Sequence, residues 1–113
     1  MDLKIIDDRF GNKEAVDVVF HRYLGSNNVA IRLVCETGEQ WCMASVNVPG
    51  NPLSDELVAI KTYSENEGID AILIRAGIIQ SEPLRYLACG HAITPIFRLT
   101  SEACARARAV PKH

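Results

Sequence analysis

Three stretches dominated by β-branched and aromatic residues, VDVVFHRYL (16–24), NVAIRLVCE (28–36) and EQWCMASVN (39–47), follow one another almost without interruption. Only GSN and TG lie between them. Residues of these types fit a pleated, half-buried surface, and connections this short permit only antiparallel pairing, since a parallel crossover needs about a dozen residues or more. The first half of the chain is therefore expected to be a β-meander.

A two-residue Thr37-Gly38 turn sets Leu33 opposite Cys42, Ile31 opposite Ala44 and Val29 opposite Val46, which gives one coherent apolar face. A three-residue loop with a glycine bulge would instead flip the third strand and bring Trp41 and Met43 inward. The first register is the preferred one. Ahead of it LKII reads as a short extra strand. Behind it VNVPGNPLSDE has two prolines, a glycine and no periodicity, so it reads as a loop. LVAIKTY reads as a fourth strand.

KTYSENEGID (61–70) gathers three carboxylates around a serine. Ser64 followed by Glu67 matches a capping box, with Ile69, Ile72, Leu73 and Ala76 on one helical face and Gly77 as the left-handed stop. The expected helix runs from about Glu65 to Arg75, with Ser64, Glu67 and Gly77 as its structural caps. As a metal or acid–base site the same carboxylates are poorly arranged, because Glu65 and Glu67 diverge on a helix and no histidine is near. QSEPLRYLACG then reads as a connection. HAITPIFRLT reads as a last strand with His91, Ile93, Phe97 and Leu99 on one face, at an edge or bulged at Pro95. The expected fold class is α+β, an antiparallel sheet of four to six strands with one short helix on one face. Residues 1–100 form the single domain, and 101–113 a basic, flexible tail.

A hydrophobic content of 48% with 23% charged residues argues against wholesale disorder. Residues 1–70 hold 12 of the 14 acids against 6 of the 12 bases, a balance of −6, and residues 71–113 balance at +4. Neither half is charged densely enough for a DNA mimic or for direct nucleic-acid binding. The N-terminus carries acids and only a short apolar run, unlike a secretory signal, and no stretch is long enough for a membrane span. Cys35, Cys42, Cys89 and Cys104 form no CxxC pair. The expectation is a cytoplasmic protein without cofactor or metal, in which the first three are reduced core thiols and Cys104 lies exposed in the tail.

The chemical alternative is a thiol-dependent enzyme or zinc module built on Cys89 and His91, which share one side of a strand. It lacks the paired ligand spacing of structural zinc, and the chain has no phosphate loop, HExxH or GxSxG motif. Binding is the better expectation. In the preferred register the helix covers Val29, Ile31 and Leu33, while Arg32, Val34, Trp41, Met43 and Ser45 share the opposite face. Trp, Met and Arg are enriched in interface cores, so these five are the candidate partner-binding residues. Coverage of that face by the N-terminal strand or the tail is the structural alternative.

The segments GEQWCMASVNVPG, with Ser45-Val46-Asn47-Val48-Pro49, and IKTYSENEG resemble a family of short proteins carried by bacterial plasmids, conjugative elements and phages and defined only as a domain of unknown function. Ala76-Gly77-Ile78 and ITPIFRL add to the likeness, which spans residues 16 to 99. In that family a Thr-Gly pair and a later Ser-Gly-aromatic follow the helix, and SEPLRYLACGH departs from this. The resemblance carries no catalytic residue. It implies a mobile-element accessory protein, and small proteins of such elements often block host defence machinery, CRISPR complexes included. The expected activity is thus non-enzymatic: occluding or bridging a host protein or nucleoprotein complex, with homodimerisation as a further option and no membrane partner.

Overall fold

The meander is present as a four-stranded antiparallel sheet in the order β1-β2-β3-β4, built from β1 (Lys4–Asp7), β2 (Glu14–Arg22), β3 (Val29–Cys35) and β4 (Gln40–Met43). The computed structural model describes residues 4–7, 14–35, 37–48, 50–63, 66–89 and 92–113. A second antiparallel sheet holds β5 (Leu57–Ala59), β6 (Ile79–Cys89) and β7 (Ala92–Leu99) in the order β5-β7-β6. Two helices, α1 (Ile69–Arg75) and α2 (Ser101–Arg108), complete the described fold. The sheets meet at a bridge between Ser45 and Ile60, where the Val46 amide donates to Ala59 O (3.0 Å) and the Lys61 amide to Ala44 O (2.9 Å).

The class is α+β, but the expected single sheet with one helix is corrected in two places. QSEPLRYLACG is not a connection: it makes up most of β6, an 11-residue strand interrupted by register shifts between Ile79 and Pro83 and between Pro83 and Arg85. Its residues 80–82 and 84–86 are exposed, so no buried apolar alternation marks it as a strand. Residues 101–108 are not a loose tail either. Ala103, Cys104 and Ala107 of α2 are buried in the main core, so Cys104 is buried rather than exposed.

That core lies between the sheets and the helices. Val16, Val18, Val29, Ile31 and Leu33 enter it from the first sheet, Val58, Ile79, Phe97 and Leu99 from the second, and Ile69, Ile72 and Leu73 from α1. Burying one such side chain stabilises by about 1.5–3 kcal/mol, which is what holds these short elements in place. A smaller cluster on the far side of the second sheet joins Val48, Ala59 and Ile96. The loop carrying Val48 is fastened by Asn28, which is 3% exposed. Its Nδ2 donates to Asn51 O (3.1 Å) and its Oδ1 accepts from the Leu53 amide (2.8 Å).

β7 is the central strand of its sheet, contrary to the expectation of an edge or a bulge at Pro95. Pro95 O accepts from the Ile60 amide (3.1 Å), so the missing proline donor falls just past the end of β5, where little of the ladder remains to lose. The start of α1 also differs from expectation. The N-cap is Gly68 at φ 88°, without a side-chain cap, so the helix begins at Ile69 rather than Glu65. Glu67 is exposed before this start, and Ser64 lies outside the described residues. A left-handed Gly68 explains why a glycine stands there without weakening a helix interior. At the other end Gly77 has φ 78°, and its amide donates to Ile74 O (3.1 Å) while that of Ile78 donates to Leu73 O (3.0 Å). This is a Schellman closure, with Ile78 and Leu73 both fully buried.

Candidate binding surfaces

The β3–β4 hairpin decides the fate of the proposed partner face. The Cys35 amide donates to Glu39 O (2.8 Å) and the Gly38 amide to Cys35 O (2.9 Å), with Gly38 at φ 92°. This is the three-residue loop with a glycine bulge, not the two-residue turn. Beyond it Val34 faces Gln40, but Leu33 faces Cys42 and Arg32 faces Met43, so Trp41 is the extra residue of a second bulge. The two irregularities compensate. The register past Trp41 is the one the apolar pattern favours, while Trp41 itself turns to pack, half-buried, against the main core beside Cys42.

The five candidate residues are thereby divided. Arg32, Val34 and Met43 are half-buried on the face of the first sheet that points away from Val18, Ile31 and Leu33. Trp41 has left that face for the core. Ser45 is 2% exposed, and its Oγ accepts from the Ile31 amide (2.8 Å) and shares a hydrogen bond with the Tyr23 hydroxyl (2.8 Å). Burial raises the pKa of Tyr23, with the Ser45 bond acting in the opposite sense. Ser45 is a structural hydrogen-bonding residue at the junction of the sheets. Next to Arg32 on the same face, His21 has its pKa lowered by burial and then by the Arg32 charge.

A different surface is more open. Among the described residues the exposed large apolar side chains are Leu24, Leu84, Tyr86 and Ile93, and the last three lie on β6 and β7. The core-facing row of β7 runs Leu99, Phe97, Pro95, Ile93. Phe97 is 2% exposed, whereas Ile93 is 68% exposed, because the hairpin extends past the core. Tyr86 pairs with Pro95 and is 62% exposed. Between this end of the hairpin and the start of α1 lies a cleft of about 330 Å³, lined by Pro83, Tyr86, Ile93, Pro95 and Phe97 with Thr62, Asp70 and Ser81. The sequence held a weak sign of it in Tyr86 and Ile93, large apolar residues on either side of Cys89-Gly90-His91.

Among the described residues no group of three or more His, Cys, Asp or Glu side chains is placed to hold a metal. Cys35, Cys42 and Cys104 are thiols, and the Cys104 Sγ lies 3.6 Å from Asp55 O. The backbone of Cys89 pairs with Ala92 at the end of the hairpin, but its side chain and all of His91 lie outside the described residues. A polar cavity near Cys104 is bordered by Glu56, Arg98 and Arg108, and the carboxylate bridges both guanidiniums (3.1 and 3.3 Å). All three are about half exposed, which makes them a weak surface network. Among the described residues no helix is long and apolar enough to cross a membrane.

No family model, curated protein or solved structure matches the chain.

Proposed function

We propose that this is a non-enzymatic binding protein that acts stoichiometrically by occluding or bridging another macromolecule. Its contact surface is the β6–β7 hairpin. The observation that carries this reading is the pair Tyr86 and Ile93, each more than half exposed and bordering one cleft, on an edge strand and its neighbour. Exposed apolar patches of this kind mark interaction sites. The bulged β6, with Pro83 and the charges of Glu82 and Arg85, is built to resist indiscriminate edge pairing, which fits a selective contact better than a sticky one. The likeness of SVNVP and IKTYSENEG to mobile-element proteins makes host defence complexes, CRISPR effectors among them, the partner class to try first.

The test is capture from a bacterial lysate with quantitative mass spectrometry, using wild type, Tyr86→Ser/Ile93→Ser and Arg32→Ser/Met43→Ser. The hairpin variant is expected to lose the captured partner while keeping its melting temperature, and the sheet-face variant to retain it. The opposite pattern would return the contact to the sheet face. Catalytic turnover of any captured partner would overturn the stoichiometric reading.

A further inference from the structure

We infer that the cleft between the β6–β7 hairpin and α1 binds an extended peptide segment of a partner, carrying an apolar side chain next to a lysine or arginine. The inference rests on the hairpin reading above and assigns the chemistry of what docks there.

The walls dictate the shape. Phe97, Pro95 and Ile93 stand at every second position of one strand, so the row rises about 6.6 Å per step. Two such steps match an extended segment of about four or five residues, whose own side chains alternate with the same period. At about 330 Å³ the cleft is at the low end of ligand-pocket size, room for one or two side chains rather than for a folded surface. Pro83, Pro95, Phe97 and Ile93 give that room one apolar side, and Thr62, Asp70 and Ser81 give it a polar one.

The rim dictates the charge. Asp70 is the charged residue of the lining, beside the neutral Thr62 and Ser81. No basic residue lies between Lys61 and Arg75 in the sequence. Arg85 pairs with Ile96 one position along from the Tyr86–Pro95 pair, which sets it on the opposite face of the hairpin. A cation entering the cleft therefore meets a carboxylate and no competing base among the lining residues. The exposed Tyr86 ring offers it a π face as well. An acidic segment would meet repulsion, and a purely apolar one would take Asp70 out of water with only the first turn of α1 to offset its charge.

The test starts from an unbiased library of phage-displayed 12-residue peptides selected on the full chain. Enriched peptides should carry Lys or Arg within two positions of an aliphatic or aromatic residue. Fluorescence anisotropy with one of them should show binding weakened at least tenfold by Tyr86→Ser/Ile93→Ser. Asp70→Asn, or glutamine in place of the peptide's basic residue, should weaken it about fivefold, and 0.5 M salt should remove most of that difference. Circular dichroism confirms that each variant is folded. Enrichment of peptides without a basic residue, or no effect of Asp70→Asn while the hairpin variant loses binding, overturns the proposed chemistry and leaves the hairpin reading standing. No enrichment overturns the inference. Enriched peptides that bind the hairpin variant at full strength overturn both. Self-association in sedimentation velocity that the hairpin variant abolishes would make a second copy the occupant and likewise overturn the inference.

Discussion

Replacing Arg22 with methionine keeps most of the side-chain volume and deletes a guanidinium that ties three segments of the chain together. Arg22 is 6% exposed at the end of β2. Its Nε donates to Val110 O (3.2 Å) and one terminal nitrogen to Ala107 O (3.1 Å), past and within the last turn of α2. The other terminal nitrogen donates to Asn27 O (3.2 Å) and to the Asp55 carboxylate (2.7 Å). At about 1.5–3 kcal/mol for each bond to a charged group, the four would sum to most of a small domain's stability of about 5–15 kcal/mol. That sum is too large, because Asp55 is about a quarter exposed and the carbonyls at the end of α2 regain water. Breaking a buried pair on one side costs about 3–5 kcal/mol, and the lower end applies here. Urea denaturation followed by circular dichroism should show a loss of about 3 kcal/mol for Arg22→Met. Asp55→Ala should cost about 2 kcal/mol, and the double variant should fall short of the sum by 1 kcal/mol or more, since the two residues are in contact. A loss under about 1 kcal/mol for Arg22→Met, or strictly additive costs, would refute the claim that this pair anchors α2.

The same pair gives a pH signature. The hydrogen bond from Arg22 holds the Asp55 carboxyl below its ordinary pKa. Its stabilisation is thus complete above the unfolded value near 3.9 and is lost as pH falls through the lower, folded one. The urea midpoint should drop on acidification below about pH 4, and Asp55→Asn should flatten that part of the profile. Gly77→Ala places a side chain at φ 78° and should lower stability by about 1–2 kcal/mol, measured by thermal melts. Trp41→Ala should lower the melting temperature at a cost of about 2 kcal/mol, less than a fully buried tryptophan because Trp41 is half-buried. An unchanged melting temperature would mean that Trp41 does not support the core.

Local chemistry made part of this fold legible. The valine and isoleucine runs at 16–22 and 29–35 are strands because their residue types and alternation suit nothing else, and Leu33 faces Cys42 as the apolar pattern requires. Gly77 ends α1 because a left-handed backbone is needed where the helix stops. The start of α1 differs from the capping-box expectation because the helix opens at Ile69 after a left-handed Gly68, while Ser64 lies outside the described residues. Arg22 carried a sign that is clear afterwards: it follows Val16, Val18 and Phe20 at the same parity, on the inward face.

What the sequence by itself determined was the strand-forming first half, the α+β class, the pairing of Leu33 with Cys42 and the glycine stop of α1. Each depends on residues within one hairpin or one helical turn. Only the tertiary structure decided the rest. The Trp41 bulge exists because a large ring finds core to cover, and the three-residue Gly38 loop alone would have mismatched every pair beyond it. α2 is ordered because Ala103, Cys104 and Ala107 meet the sheets and Arg22 holds its last carbonyls, partners about 85 residues away in the chain. β6 is a strand because β7 offers it a ladder, and its open face became the candidate binding surface because no described helix extends far enough to cover Tyr86 and Ile93. Contacts of that range depend on the relative placement of whole elements, and no local spacing of residues encodes it.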